Sequence, residues 1–275
     1  MGGIARWLAG RALRAFPESA RQAALGNKQI ARVIRLRFAY FFAVHGAVVF
    51  LLLKLISGGD AWAIVSFGLA SLIMVPGELL GGVLADRHGP KWALRNGLVL
   101  MAGVMLAFAA LLITRAATLE AHPVGSQWLP GVVGICGLEL AIGVALSLIN
   151  GADTVLFVNV GREARIEGLD ASAFEGVGSA LRYYGTMLAV AVGVGLYYGV
   201  EALTSDPALA MSLQSTVFIG TFFAQVYALR TLAGVREPPV DDRQRATLNQ
   251  IMLAASSLRV QPALLRSVAG AAVGI

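Results

Sequence analysis

Six long apolar runs, separated by short polar segments, dominate the pattern of hydrophobic and polar positions along the chain. A helix needs about 20 predominantly apolar residues to cross a bilayer, and each run approaches or exceeds that length. A seventh apolar run begins near Leu265 and reaches Ile275, which is about half of a span. The pattern predicts an all-α, polytopic membrane bundle of six transmembrane helices with the start of a seventh. The six predicted spans are 38–57, 61–84, 94–114, 130–150, 178–199 and 211–230.

The polar segments divide the chain into four predicted parts. We expect the six spans to form two three-helix repeats of inverted topology, an arrangement common in secondary transporters, although no sequence repeat between them is evident. The linker after the bundle begins with the charged, proline-containing sequence EPPVDD and continues as an amphipathic surface helix. The parts are a basic, amphipathic N-terminal segment (1–37), the six-helix bundle (38–230), a cytoplasmic linker (231–264) and the truncated start of a seventh helix (265–275).

Composition and charge agree with a membrane location. Hydrophobic residues make up 57% of the chain and charged residues 14%, which lies far outside the range of soluble domains. If the N-terminus is cytoplasmic, only Lys54 and Arg115 of the 22 Lys and Arg residues fall on the outer side, as the positive-inside rule requires. The net charge of +6 then reflects topology and contact with anionic headgroups, and not nucleic acid. We expect a bacterial cytoplasmic (inner) membrane.

A charged, glycine-bearing hairpin between the second and third spans is the most specific motif. Its spacing is G-x-x-x-D-R-x-G-x-K, formed by Gly82, Asp86, Arg87, Gly89 and Lys91. A loop this short needs a residue that tolerates a positive φ, which Gly89 supplies. Gly82 offers a helix face that another helix can approach closely, and Asp86 is suited to accept hydrogen bonds from the N-terminal amides of a neighbouring helix.

This motif, at this position among the spans, resembles the signature loop of the major facilitator superfamily, the secondary transporters built from two six-helix halves. The resemblance covers residues 38–230 and implies an N-terminal half whose C-terminal half is missing or separate. It further implies that Asp86 locks the inward-closed state against a helix of the second half, with Arg87 and Lys91 as charged partners.

A second, weaker resemblance to some bacterial members of the same superfamily lies at the cytoplasmic end of the fourth span, in the sequence NGADTVL. Asp153 is its acidic residue. Those members usually continue into a Tyr-Asp pair, whereas Phe157 and Val158 follow here. A role for Asp153 beyond capping is therefore left open.

Polar residues inside the predicted spans are further candidates, because they are costly to bury in a bilayer and usually functional. At about 1.5 Å per residue, His45 in the first span and Glu139 in the fourth lie within about 7 Å of each other along the membrane normal. We take Glu139 as a candidate for substrate contact or proton coupling, with structural pairing as the alternative. His45 and Gln225 are candidates for the same role. His45 could share a central cavity with Glu139, although an interhelical hydrogen bond is the favoured alternative, and Gln225 could line a cavity. Glu78 faces a neighbouring helix or a water-filled cleft.

No catalytic constellation, metal-ligand spacing or phosphate-binding loop is present in the sequence. We therefore predict neither an enzyme nor a bound cofactor. The predicted function is a secondary active transporter that moves a small solute by alternating access, driven by an ion or proton gradient. The alternatives are a half-transporter that needs a partner half, or a non-transporting membrane protein that serves interactions. We expect an N-terminal fragment, because the chain continues past the linker into the seventh apolar run.

Overall fold

The described part of the chain is a bundle of helices. In the computed structural model it comprises residues 18–43, 46–165 and 171–237, with four single positions nearer the N-terminus (7, 10, 11 and 13). Within these ranges the regular structure is entirely helical. The helices are α1 (Glu18–Gly26), α2 (Lys28–Ala43), α3 (Gly46–Ser57), α4 (Asp60–His88), α5 (Pro90–Ala117), α6 (Leu129–Ala164), α7 (Ala171–Leu203), α8 (Pro207–Gln214) and α9 (Thr216–Ala233).

Five stretches of described helix are long and apolar enough to cross a membrane, which agrees with the predicted helical membrane protein over the described residues. The predicted first span, 38–57, is not among them. Helices α2 and α3 cover it from either side, while residues 44–45, and with them the candidate His45, lie outside the described residues. The count of six spans stays a prediction. The five stretches are Asp60–Glu78, Pro90–Ala117, Leu129–Ala164, Phe174–Leu203 and Pro207–Ala233, the last of which joins α8 and α9.

Helices α2 and α6 extend ten residues or more beyond one end of their predicted spans. Helix α2 begins at Lys28, because Asn27 precedes it as an N-cap whose Oδ1 accepts the amide hydrogens of Gln29 (2.9 Å) and Ile30 (3.2 Å). Helix α6 continues past residue 150 and ends only where Arg165 adopts a left-handed conformation with φ 46°. An apolar run marks where a helix meets lipid, whereas caps decide where its hydrogen bonding begins and ends.

Helices α4 and α6 have the most extensive contact, and small side chains make it possible. A Cβ atom added to Gly77 or Gly81 of α4 would collide with Ser147 of α6, and one added to Gly143 of α6 would collide with the carbonyl oxygen of Ala70. Such small residues, spaced four apart, let two helix backbones approach closely in a membrane.

The remaining helices pack around this pair. Helix α5 lies against α6 and α9, and α2 lies against α9 and α7. At the end of the bundle that carries the α4–α5 hairpin, here called the hairpin end, Phe157 stacks on Phe174 with ring centroids 4.2 Å apart. Towards the opposite end, Phe108 stacks on Phe218 at 5.1 Å. Each of these two stacks belongs to one cluster of buried apolar residues, and the two clusters follow one another along the length of the bundle.

Candidate functional site

The turn of the α4–α5 hairpin requires glycine for two reasons. Gly89 has φ 92° and donates its amide hydrogen to the carbonyl oxygen of Ala85 (2.8 Å), which ends α4. A Cβ atom at this position would also collide with the carboxylate of Glu237. Pro90 follows as the first residue of α5, where its fixed φ suits a helix start. The positive φ predicted for Gly89 is confirmed.

Lys91 joins the start of α5 to the end of α9. Its backbone amide donates to Glu237 Oε1 (3.2 Å), and its Nζ donates to the carbonyl oxygens of Ala233 (3.3 Å) and Val235 (2.7 Å). The first amides of a helix and its last carbonyls have no partners within the helix. The carboxylate of Glu237 therefore caps α5, and the ammonium of Lys91 binds carbonyls at and just past the end of α9.

Helix α2 holds the same segment from the other side. Arg32 Nη1 donates to the carbonyl oxygen of Gly234 (2.6 Å), and the backbone amide of Arg236 donates to Gln29 Oε1 (3.1 Å). We call Gln29, Arg32, Lys91 and the segment 234–237 the exit clasp, because these contacts hold the chain just past the end of α9. The sequence analysis missed it, since Lys91 and Glu237 are 146 positions apart and no local pattern joins them.

The other hairpin residues have no such contacts. Asp86 and Arg87 are exposed near the end of α4, and in the described part of the chain neither makes a hydrogen bond or ion pair. A Cβ atom added to Gly82 would meet nothing within 4 Å among these residues. Although Asp86 is exposed, partial desolvation raises the pKa of its carboxyl above the usual value. On one stretch of α4 the hairpin thus presents a glycine, a carboxylate and a guanidinium that have no partner among the described residues.

A buried ion pair joins three helices at the hairpin end. Arg37 Nε of α2 lies 3.2 Å from Asp153 Oδ2 of α6, and the two side chains are 6% and 8% exposed. The guanidinium lies over the ring of Phe157, 4.7 Å from its centroid, and 5.8 Å from that of Phe41. Gly178 of α7 provides the space, because a Cβ atom there would collide with Arg37 Nη1.

Electrostatic attraction, and not a well-aligned hydrogen bond, holds this ion pair together. The contact between Nε and Oδ2 does not meet hydrogen-bond geometry, and Arg37 Nη1 has no hydrogen-bond partner among the described residues. Asp153 lies well inside α6, eleven residues before its last residue, so it does not cap that helix. A second guanidinium, that of Arg182 in α7, lies 5.1 Å from the centroid of the Phe41 ring. Sequence reasoning had counted Arg37 only as one N-terminal basic residue.

The candidates deeper in the membrane are buried but not joined. Glu139 of α6 is 2% exposed and Gln225 of α9 is fully buried. Glu139 Oε1 and both polar atoms of the Gln225 amide have no hydrogen-bond partner in the described part of the chain. No hydrogen bond joins the two side chains in the described structure, and their predicted roles stay predictions.

Arg115, which the sequence analysis left on the outer side, organises the α5–α6 loop. Its side chain is fully buried, and Nη2 donates to the carbonyl oxygens of Pro123 (3.0 Å) and Ser126 (3.1 Å). The guanidinium also lies 5.8 Å from the ring centroid of Trp128. This arrangement fixes the loop at the end opposite the hairpin.

Comparisons with protein-family models, curated proteins and solved structures found no match. The resemblance to the major facilitator superfamily therefore rests on the hairpin residues and the order of the apolar runs. Among the described residues, no group of three or more His, Cys, Asp or Glu side chains could hold a metal ion.

Proposed function

We propose that this protein is the N-terminal half of a secondary active transporter of the major facilitator type, which moves a small solute by alternating access. The observation that carries the proposal is the division of the hairpin into two groups. Gly89 and Lys91 are engaged within the bundle, whereas Gly82, Asp86 and Arg87 have no partner in the described structure. Asp86 and Arg87 are among the residues that the resemblance assigns to contact with a second half. Lys91, which it also assigns there, binds carbonyls at the end of α9 instead.

The chemistry of the unengaged group fits the end of another helix. Asp86 is a partly desolvated carboxylate that forms no ion pair with the described residues, and the N-terminus of a helix offers both amide donors and the positive end of a dipole. Gly82 lies four residues earlier, so it shares a helix face with Asp86. Arg87 can pair with an acidic side chain or a phosphate beside the same contact.

The packing of the helices supports a 3+3 inverted repeat in which α2 and α3 together make the first span. In such a repeat, spans one, two and three correspond to spans four, five and six. The contact between α4 and α6 (spans two and four) then corresponds to that between α7 and α2 (spans five and one). The contact between α5 and α6 (spans three and four) corresponds to that between α9 and α2 (spans six and one). All four contacts are among the most extensive in the described bundle. The equivalent helices α4 and α7 are also the least covered spans, as expected of helices that meet a second half.

The distribution of basic residues supports a hairpin end that faces the cytoplasm, and a location in a bacterial inner membrane is part of the same proposal. Arg32, Lys91 and Arg236 lie at that end, and Lys54 and Arg115 lie at the other. Excess Lys and Arg mark cytoplasmic loops. In this orientation the buried carboxyl of Glu139 is the best candidate to carry a coupling proton or contact the solute.

Transport by vesicles that contain the complete protein, with any chain that continues beyond Ile275, tests the proposal. Removing one charge-assisted contact of about 1.5 kcal/mol should lower transport by about tenfold, and we expect this of Asp86→Asn. Asp60→Asn is the matched control, because Asp60 is a carboxylate at the other end of α4. Glu139→Gln tests the coupling role. If Asp86→Asn and Glu139→Gln move every solute as the native protein does, the mechanism is wrong. A partner that co-purifies without any transport would favour the interaction protein instead.

A further inference from the structure

Four basic side chains flank the contact between α2 and α9 at the hairpin end. Arg32 Nη1 of α2 donates to the carbonyl oxygen of Gly234 (2.6 Å), and a Cβ atom added to Gly234 would lie 3.1 Å from Arg32 Nε. Lys28 and Arg35 lie four residues before and three residues after Arg32, so they share one face of α2 with it. Arg230 lies four residues before Gly234, on the same face of α9. We call these four basic residues the basic seam.

Arg35 and Arg230 lie at nearly the same depth on the two sides of this seam. Helix α2 runs into the bundle from the hairpin end and α9 runs back to it, so the two helices are antiparallel. From the contact between Arg32 and Gly234, Arg35 lies three residues, or about 4.5 Å, deeper along α2. Arg230 lies four residues, or about 6 Å, deeper along α9. The two guanidinium groups can therefore approach one ligand from neighbouring helices.

The basic seam faces away from the interior of the bundle. Arg37, whose guanidinium lies against α7, is about 140° around α2 from Arg32 at 3.6 residues per turn. Phe218, which stacks on a ring of α5, is about 160° around α9 from Gly234. The seam residues thus lie on the outer face of the α2–α9 pair. Lys28 and Arg230 are exposed there, while Arg32 and Arg35 are partly exposed.

Most hydrogen-bond donors of the three guanidinium groups are unused among the described residues. Arg35 donates only through Nε, to the carbonyl oxygen of Ala31 (3.0 Å), and Arg32 only through Nη1. The side chain of Arg230 makes no hydrogen bond in the described part of the chain. The ion pairs formed there between described residues do not include any member of the basic seam. A guanidinium fork matches the oxygens of a phosphate, so a phosphate suits the free donors and the uncompensated charge.

The depth of the basic seam fits the headgroup layer of a bilayer. Headgroups add about 5 to 8 Å to each side of the hydrocarbon core. Arg35 lies three residues, or about 4.5 Å, outside the first predicted span, and Arg230 is the last residue of the sixth. On the same face of α9, Phe223 is 63% exposed and lies seven residues, or about 10 Å, deeper than Arg230. A ligand with a phosphate and an acyl chain matches both parts of this surface, whereas a free phosphate matches only the first.

We propose that Arg32, Arg35 and Arg230 bind the headgroup phosphate of an anionic phospholipid on the outer face of the α2–α9 pair. Lys28, farther from the hydrocarbon core, adds the positive charge that favours an anionic over a zwitterionic headgroup. Phe223 contacts an acyl chain of the same lipid. The bound phosphate bridges α2 and α9 beside the exit clasp. The proposal requires only that the chain spans a membrane, so it stands apart from the proposed transport.

Titration of the full chain in detergent micelles with dioleoylphosphatidylglycerol, followed by native mass spectrometry, tests the site. We expect binding to weaken about fivefold in Arg35→Gln and in Arg230→Gln, and about 25-fold in the double variant, because each removes one cation near the headgroup. Arg162→Gln is the matched control, since Arg162 is an exposed arginine in the last turn of α6 at the same end of the bundle. It should leave binding unchanged.

Two further ligands identify what the site recognises. Dioleoylphosphatidylcholine has the same acyl chains and a phosphate but no net charge, so it should bind more weakly than phosphatidylglycerol. Glycerol 3-phosphate has the phosphate without the acyl chains. It should not displace the lipid at an equal concentration, because it makes no contact with the apolar surface at Phe223.

The double variant Arg35→Lys/Arg230→Lys guards against a loss of fold. It keeps both charges, so it should bind phosphatidylglycerol more tightly than Arg35→Gln/Arg230→Gln, and equal loss in the two double variants would overturn the proposal. An equal affinity of the native chain for the two lipids would overturn it as well. Equal weakening by Arg162→Gln would replace the site by a diffuse positive surface, and displacement by glycerol 3-phosphate would replace the lipid by a free phosphate. Either result overturns the proposal.

Discussion

Removing one member of the Arg37–Asp153 pair should destabilise the bundle far more than removing both. At 3.2 Å, the gross Coulomb attraction is about 5 kcal/mol for an effective dielectric constant of about 20. Desolvation of each ion costs several kcal/mol, so the net contribution of the intact pair is small. A single substitution, however, leaves one charge buried without its counterion.

We therefore expect Asp153→Leu to lower the free energy of unfolding by about 3 kcal/mol, in the range measured for broken buried pairs. The ring of Phe157, 4.7 Å from the guanidinium, remains beside the unpaired cation, and a desolvated cation–π contact contributes about 2 kcal/mol, so the cost should lie at the lower end of that range. Arg37→Met should cost about as much, since Asp153 would lose its ion-pair partner and keep, among the described residues, hydrogen bonding from Thr154. The double variant Arg37→Met/Asp153→Leu should lie within about 1 kcal/mol of the native protein.

Reversible unfolding in mixed micelles, followed by circular dichroism, measures these four free energies as a double-mutant cycle. The matched control is the exposed pair of Lys54 and Asp60, which are 2.9 Å apart and 51% and 61% exposed. Its single and double substitutions should each cost less than about 1 kcal/mol. The reasoning is refuted if single substitutions of the buried pair cost as little as those of the control. Additive costs in the double variant would refute it equally.

Three further predictions follow from the hairpin end. Lys91→Met should lower the free energy of unfolding by about 1 to 2 kcal/mol, because two hydrogen bonds to backbone carbonyls are lost. Hydrogen exchange of the amides of residues 234–237 should become faster. An unchanged exchange rate would contradict the role given to the exit clasp. Asp86→Asn should change stability at pH 7 by no more than about 0.5 kcal/mol. Burial raises the pKa of Asp86 in the folded state, so the native bundle should lose stability as pH rises from the unfolded-state pKa to the folded-state pKa. Asp86→Asn should lack that loss. Urea titrations across pH measure it, and a native stability that rises over this interval would refute the expected direction. Arg165→Gly should stabilise the bundle by about 1 kcal/mol, since φ 46° is strained for a residue with a Cβ atom; a lower melting temperature would count against it.

Several features of this fold were predictable because they depend on short stretches of sequence. The glycine at the hairpin turn was predictable, since a tight reversal followed by Pro90 needs a positive φ, and Gly89 has φ 92°. The helical class followed from apolar runs that are long enough to cross a bilayer. The helix bounds were less predictable, because Asn27 begins α2 well before the apolar run.

The contacts that organise the hairpin end could not be predicted. Arg37 is one of eight basic residues before the first predicted span, and nothing in its local sequence distinguishes it from Arg35, which bonds only to its own helix. Glu237 opens a proline-rich segment that reads as a solvated linker, yet its carboxylate caps α5. In both cases the partner comes from a distant helix.

The sequence by itself determined that this chain forms membrane-spanning helices and which residues make the sharp turn between α4 and α5. A helix satisfies its backbone hydrogen bonds internally, so apolar length and turn residues are sufficient to specify it in a bilayer. Only the tertiary structure decided that Lys91 is engaged within the bundle while Asp86 stays open, and that Asp153 meets Arg37. Those outcomes depend on which helix faces meet, and close packing of small residues between distant helices settles that.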